Sequence, residues 1–179
     1  MHGAPDAFAE FKAAAERYIE VVESAGEPAP RKARRQARTE TLLADLADAL
    51  STLYNRALRL PDEWDDAWTF PGETDTFTQA DAERQRPVYG ALAAAFRGVD
   101  FYSTVVAFGT DEGEPYGHLL SDDLGDVYWD LQEGFDLLRA GASDGEAAWR
   151  WRWTFWHHWA EHALDALRIV HARIAPERR

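Results

Sequence analysis

Apolar side chains recur three and four residues apart along most of this chain, the period of a helix buried on one face. Phe8, Phe11, Ala15, Tyr18, Ile19 and Val22 form the first such stripe. Asp6 stands before it as a helix cap, and Gly26, Pro28 and Pro30 stop the helix near Ser24. Leu42, Leu43, Leu46, Ala49, Leu50, Leu53, Tyr54, Ala57 and Leu58 form a second stripe that ends before Pro61. A third helical region starts at Thr78 and takes Pro87 as a kink or a fresh first-turn position. It continues through Val88, Leu92, Ala95 and Phe96 to a stop at Gly98. Ser121 reads as the N-cap of a fourth helix ending near Ala140, with Gly141 just beyond it. Its core stripe is Leu120, Leu124, Val127, Tyr128, Leu131, Phe135 and Leu138. A fifth helix runs from about Asp144 to Ile174.

Two stretches break the helical period. Residues 62–76 read as a loop, a strap that lays Trp64, Trp68 and Phe70 on the helices. Its early carboxylates, Asp62, Glu63, Asp65 and Asp66, lack the glycine-pivoted spacing of a calcium loop. Residues 99–117 read as a second loop segment. Phe101 to Phe108 has strand propensity, but with no partner in view the expectation is extended chain or an irregular turn. The predicted fold is therefore all-α: residues 1–179 as a single helical-bundle domain of about five helices, with a long central C-terminal helix.

That last helix holds five of the chain's 8 tryptophans. On a helical wheel Trp149, Trp153, Trp156, Ala160, Ala163, Leu164, Leu167, Val170 and Ile174 form one stripe. Trp151, Phe155 and Ile169 form a second, nearly opposite, which also carries His158 and His162. A helix apolar on both sides is expected to be central and largely buried. Truncating Trp153 or Trp156 is then expected to cost about 3–5 kcal/mol. Two aromatic faces also exceed what five helices cover, so a homodimer through the Trp151 face is expected.

Charge and composition narrow the function classes. The net charge of -13 argues against nucleic acid and against anionic membrane surfaces as partners. The basic run Arg31, Lys32, Arg34, Arg35 and Arg38 lacks interleaved aromatics and reads as the solvated start of the second helix. No apolar run approaches membrane-spanning length, and residues 1–11 lack the pattern of a secretion signal, so the expected location is cytoplasmic. The absence of cysteine excludes disulfides, thiolate nucleophiles, iron–sulfur clusters and cysteine zinc sites.

Any metal must then use histidine and carboxylate. His158 and His162 are four residues apart and share a helix face, a spacing found in helical metal sites. The intervening residues are Trp159, Ala160 and Glu161, so the general base of a His-Glu-x-x-His metalloprotease is missing from its place. Asp122, Asp123, Asp126 and Asp130 lie on the fourth helix, the last three on one flank. If the fourth and fifth helices pack antiparallel, that flank approaches the two histidines, and the set suits zinc, iron or manganese. The competing account is structural: buried histidines bonded to carboxylates, and carboxylates paired with Arg150 and Arg152. The chain has no nucleophile elbow, P-loop or dinucleotide fingerprint.

These two helices resemble a family of uncharacterised bacterial proteins, the domain of unknown function DUF5063. The resemblance rests on Asp122-Asp123-Leu124, Asp126-Val127-Tyr128, Asp130-Leu131 and Gly134, then on Trp151 to Phe155, His158-Trp159, His162 and Asp165-Ala166-Leu167. It covers Leu119 to His171 best. Tyr116-Gly117-His118 and Trp129 depart from the family pattern. The resemblance implies a helical bacterial protein and brings no activity with it. The first expectation is thus a non-catalytic, cofactor-free module that binds another protein. The alternative is a metal-binding bundle, a hydrolase or oxidoreductase, built on His158, His162 and the Asp122–Asp130 face. A third is an acidic protein that binds a basic partner surface.

Overall fold

Helix ends are fixed by local chemistry. Asp6 accepts hydrogen bonds from the backbone N–H groups of Phe8 and Ala9 at the start of α1 (Ala7–Ser24). The Arg38 guanidinium, on α2 (Lys32–Ala57), donates to the carbonyls of Ser24 and Glu27 at the other end of α1. Thr78 and Asp81 form a reciprocal capping box for α3 (Gln79–Ala95), which runs through Pro87 rather than restarting there. The computed structural model describes residues 6–27, 32–68, 78–104 and 116–175, the side chains of residues 32–36 excepted. The side chains of most of the basic run, and Phe70 of the strap, therefore lie outside the described residues.

Two expectations about the stretch before the fourth helix are corrected. Phe101–Thr104 (β1) does find a partner. It pairs antiparallel with Tyr116–Leu119 (β2), Phe101 opposite Leu119 and Tyr102 opposite His118. Residues 99–117 are thus not all loop. The partner was hidden because Gly117 weakens the strand signal. The glycine is there for space: a Cβ on it would stand 2.7 Å from the Phe101 ring. The second correction concerns Ser121, which is not the cap of α4 (Leu120–Arg139). Asp100 does that work from before β1. Its carboxylate accepts from the Ser121 N–H at 2.8 Å and the Ser121 hydroxyl at 2.9 Å. At the other end Gly141, at φ +94°, lets the chain leave α4 in the left-handed conformation.

Ser143 caps α5 (Asp144–Thr154), which passes through a π-helical turn (Phe155–Trp159) into α6 (Ala160–Ile174) without a break. α1 packs on α2, α2 on α6, and α4 on α5 and α6, while α3 lies along α4. The core between them is filled by Phe11, Tyr18, Leu46, Leu50, Leu53, Leu124, Leu131, Trp151, Phe155 and Trp159, among others. Trp64 and Trp68 of the strap pack edge to face on each other, and Trp64 lies 4.3 Å from Trp149 between ring centres. Among the described residues, no helix is long and apolar enough to cross a membrane.

The long C-terminal helix is not buried on both sides as expected, and its inner face draws on both predicted stripes. Trp151, Phe155 and Trp159 are fully buried, followed by Ala163, Ala166 and Val170. Trp156 is 55% exposed, Leu164 and Ile174 are exposed, and Trp153 is half-buried. The π-turn is the reason. Residues 151, 155, 159 and 163 step by four, which drifts around a 3.6-residue helix, and one wider turn cancels the drift. Trp151 itself, with no exposed surface, offers nothing to a second copy of the chain.

Candidate metal centre

Two helices meet at the site. α4 presents Asp123, Asp126 and Asp130 along one flank, and the π-turn and first turn of α6 present His158 and His162. Nδ1 of His158 lies 2.6 Å from Asp130, and Nδ1 of His162 lies 2.9 Å from Asp123. Nε2 of His162 faces Asp126 at 3.6 Å. One possible ligand atom from each of Asp126, His158 and His162 lies within 4.8 Å of the others. The two imidazoles meet edge to face, 4.9 Å between ring centres.

The expected arginine partners go elsewhere. Arg150 pairs with Glu133, and Arg152 with Asp62 and the Leu60 carbonyl. Asp123, Asp126 and Asp130 of α4 are left to histidines and tyrosines. Asp122 is exposed, at the edge of the group, and takes no part in the histidine bonds.

Three tyrosines complete the surroundings, and none was legible in the sequence. Tyr102 of β1 donates a short hydrogen bond to the second oxygen of Asp123, which is 1% exposed. Tyr89 of α3 donates to Oδ1 of Asp126 at 2.6 Å. Tyr18 of α1 is buried beneath them and donates to the Leu124 carbonyl at 2.8 Å. The faint signal was Gly125 inside an otherwise helical run. A Cβ there would stand 2.2 Å from the Tyr89 ring, so the glycine admits Tyr89 to Asp126. Gly125→Ala is therefore expected to lower stability by about 1–3 kcal/mol through overpacking. A Gly125→Ala/Tyr89→Ala double variant should recover part of that loss in urea melts. Additive losses would mean that the ring is not what the glycine accommodates.

The electrostatics follow from burial and pairing. The hydrogen bond from Asp130 raises the His158 pKa above its ordinary value, against partial desolvation. The bond to Asp123 does the same for His162, helped by the Asp126 charge. Asp130 is also raised, because burial outweighs the lowering by His158. Partial burial and the neighbouring charges of Asp126, Asp100 and Asp123 raise Asp122. Burial raises Tyr89 and Tyr102, reinforced by their carboxylate partners. Both hydroxyls therefore remain donors throughout the physiological range.

In chemical terms, each ring has its Nδ1 held by a buried carboxylate, and the other nitrogen of His162 is turned toward Asp126. A carboxylate on Nδ1 fixes the tautomer of an imidazole and, in a metal-binding histidine, makes it a better ligand. A tetrahedral ion with bonds of about 2.0–2.1 Å wants ligand atoms about 3.3 Å apart.

Residues 3–175 match the family described as Domain of unknown function (DUF5063). Among solved structures, the chain is similar to protein BF1032 from Bacteroides fragilis, with a TM-score of 0.71 and 17% identity over 98% of this chain and 97% of that one. At that identity the likeness speaks for the fold alone. No curated protein matches the chain.

Proposed function

The chain belongs to the DUF5063 family of unknown function, and we propose that it is a metal-binding helical bundle in which Asp126, His158 and His162 hold one divalent transition-metal ion. The observation that carries this reading is the pre-orientation of both imidazoles: each Nδ1 is already engaged by a buried aspartate of α4. Histidines that only filled a core would have no need for a third carboxylate, Asp126, on the free nitrogen of His162. The nitrogen and oxygen donors suit zinc, iron(II), manganese or cobalt. This reading is preferred to a non-catalytic interaction module. The exposed Trp156, Leu164 and Ile174 are apolar residues, and what the structure places beside Trp156 is the Arg152 guanidinium, 5.9 Å from the ring centre, which points to no particular partner.

The test is metal analysis of the purified protein, followed by zinc titration. Near-stoichiometric metal is expected in the wild type and none after His162→Ala. Protons compete with the ion because both histidines carry raised pKa values. Affinity should therefore rise as pH climbs through those values, by about tenfold per pH unit for each proton displaced. Zinc binding that is absent, or that is unchanged in the His162→Ala variant, would end this proposal.

A further inference from the structure

If the site holds a metal as proposed, its coordination is incomplete. We infer that the ion held by Asp126, His158 and His162 keeps an exchangeable position, open to water or to an uncharged carbonyl-type oxygen donor and disfavouring oxyanions such as phosphate. Three observations lead there. The Tyr89 hydroxyl occupies Oδ1 of Asp126 at 2.6 Å, and it is the other oxygen, Oδ2, that faces His162. Asp126 is thereby a one-oxygen ligand. Next, Asp123 and Asp130 are spent on the Nδ1 atoms of the histidines. Asp123 sits across the His162 ring from Nε2, the nitrogen that faces Asp126, and Asp130 is taken up by His158, so neither is counted as a ligand. Three protein ligands leave a tetrahedral ion one place short, the pattern of reactive rather than structural sites. His158, half exposed, puts that place within reach of solvent.

The preference among incoming ligands comes from charge. A divalent ion with neutral imidazoles and the carboxylates of Asp122, Asp123, Asp126 and Asp130 carries a formal surplus of negative charge. An arriving phosphate meets that field at close range and is repelled, whereas an uncharged carbonyl compound is not. The substrate class that fits is an uncharged ester or amide, polarised through its carbonyl oxygen. Tyr89 acts here as a positioning residue, through Asp126.

The experiment uses the full chain loaded with cobalt(II), whose visible bands report coordination number. The probes are acetamide, an uncharged carbonyl oxygen donor, and inorganic phosphate at equal concentration. Acetamide is expected to shift the bands saturably while phosphate leaves them in place. In Tyr89→Phe the bands are expected to weaken before any probe is added, because the freed Asp126 oxygen can also bind the ion and raise its coordination number. Bands that acetamide does not move would overturn the exchangeable position while leaving the metal site standing. A response to phosphate as strong as that to acetamide would overturn the charge argument. An unchanged Tyr89→Phe spectrum would remove the one-oxygen role of Asp126. No cobalt uptake at all would overturn both this inference and the proposal beneath it.

Discussion

Replacing Trp151 with alanine is expected to cost about 3–5 kcal/mol of folding stability, the range for deleting a large buried aromatic. The indole is fully buried and lies against the rings of Phe8, Phe11 and Phe135. Its Nε1 donates to the Leu131 carbonyl at 2.9 Å. It fits only because α4 has a glycine beneath it: a Cβ at Gly134 would stand 2.2 Å from the ring. The alanine variant therefore loses apolar burial and a hydrogen bond, and leaves a cavity on a flat glycine surface that cannot collapse into it. Trp156→Ala makes the contrast. That side chain is more than half exposed, so its loss should cost under about 1 kcal/mol, in the range of ordinary surface changes. Urea denaturation of the two variants side by side measures both. Equal midpoints, or a larger loss for Trp156, would contradict the buried face described for the C-terminal helix.

Asp123→Ala should be the second most damaging change, costing on the order of 3 kcal/mol. Its carboxylate has almost no exposed surface and accepts from both His162 and Tyr102. Without it, the Tyr102 hydroxyl, which burial and the carboxylate together hold in its neutral donor form, loses its acceptor. His162 is about a quarter exposed and can turn partly to water, which limits the loss. If the site holds metal, the same change releases the orientation of His162 and should weaken binding about 10–100-fold without removing a ligand. Thermal melts of the metal-free protein and zinc titration separate the two effects. A variant that melts like wild type and binds zinc equally well would show that Asp123 neither braces the site nor orients His162.

The parts of the site differ in how far they could be read in advance. His158 and His162 stand out because i, i+4 histidines on one helix are a local pattern. Asp123, Asp126 and Asp130 stand out for the same reason on α4. Their meeting depends only on two consecutive helices folding back through a short turn at Gly141, so it too was within reach. Tyr89, Tyr102 and Tyr18 were not. Tyr89 is 37 residues from Asp126 along the chain, and nothing near Tyr89 marks it. What brings it there is the packing of α3 on α4 and the missing side chain at Gly125. Similarly, β2 was read as part of a loop because a strand with a glycine and a histidine declares itself only when β1 lies beside it.

By itself the sequence determined the helices and most of their ends, the start of α4 excepted. Helical period, Asp6, Thr78, Ser143 and Gly141 act through contacts within a few residues, so they are written locally. It also placed two histidines and three aspartates on facing flanks, because the spacing of residues on a helix is geometry rather than folding. Only the tertiary structure decided which face of the C-terminal helix is inside. Trp153 and Trp156 have as much apolar surface to bury as Trp151 and Trp159. The choice goes with one π-turn and with the glycine floor that α4 presents to Trp151, a fit between helices that neither helix's own spacing shows.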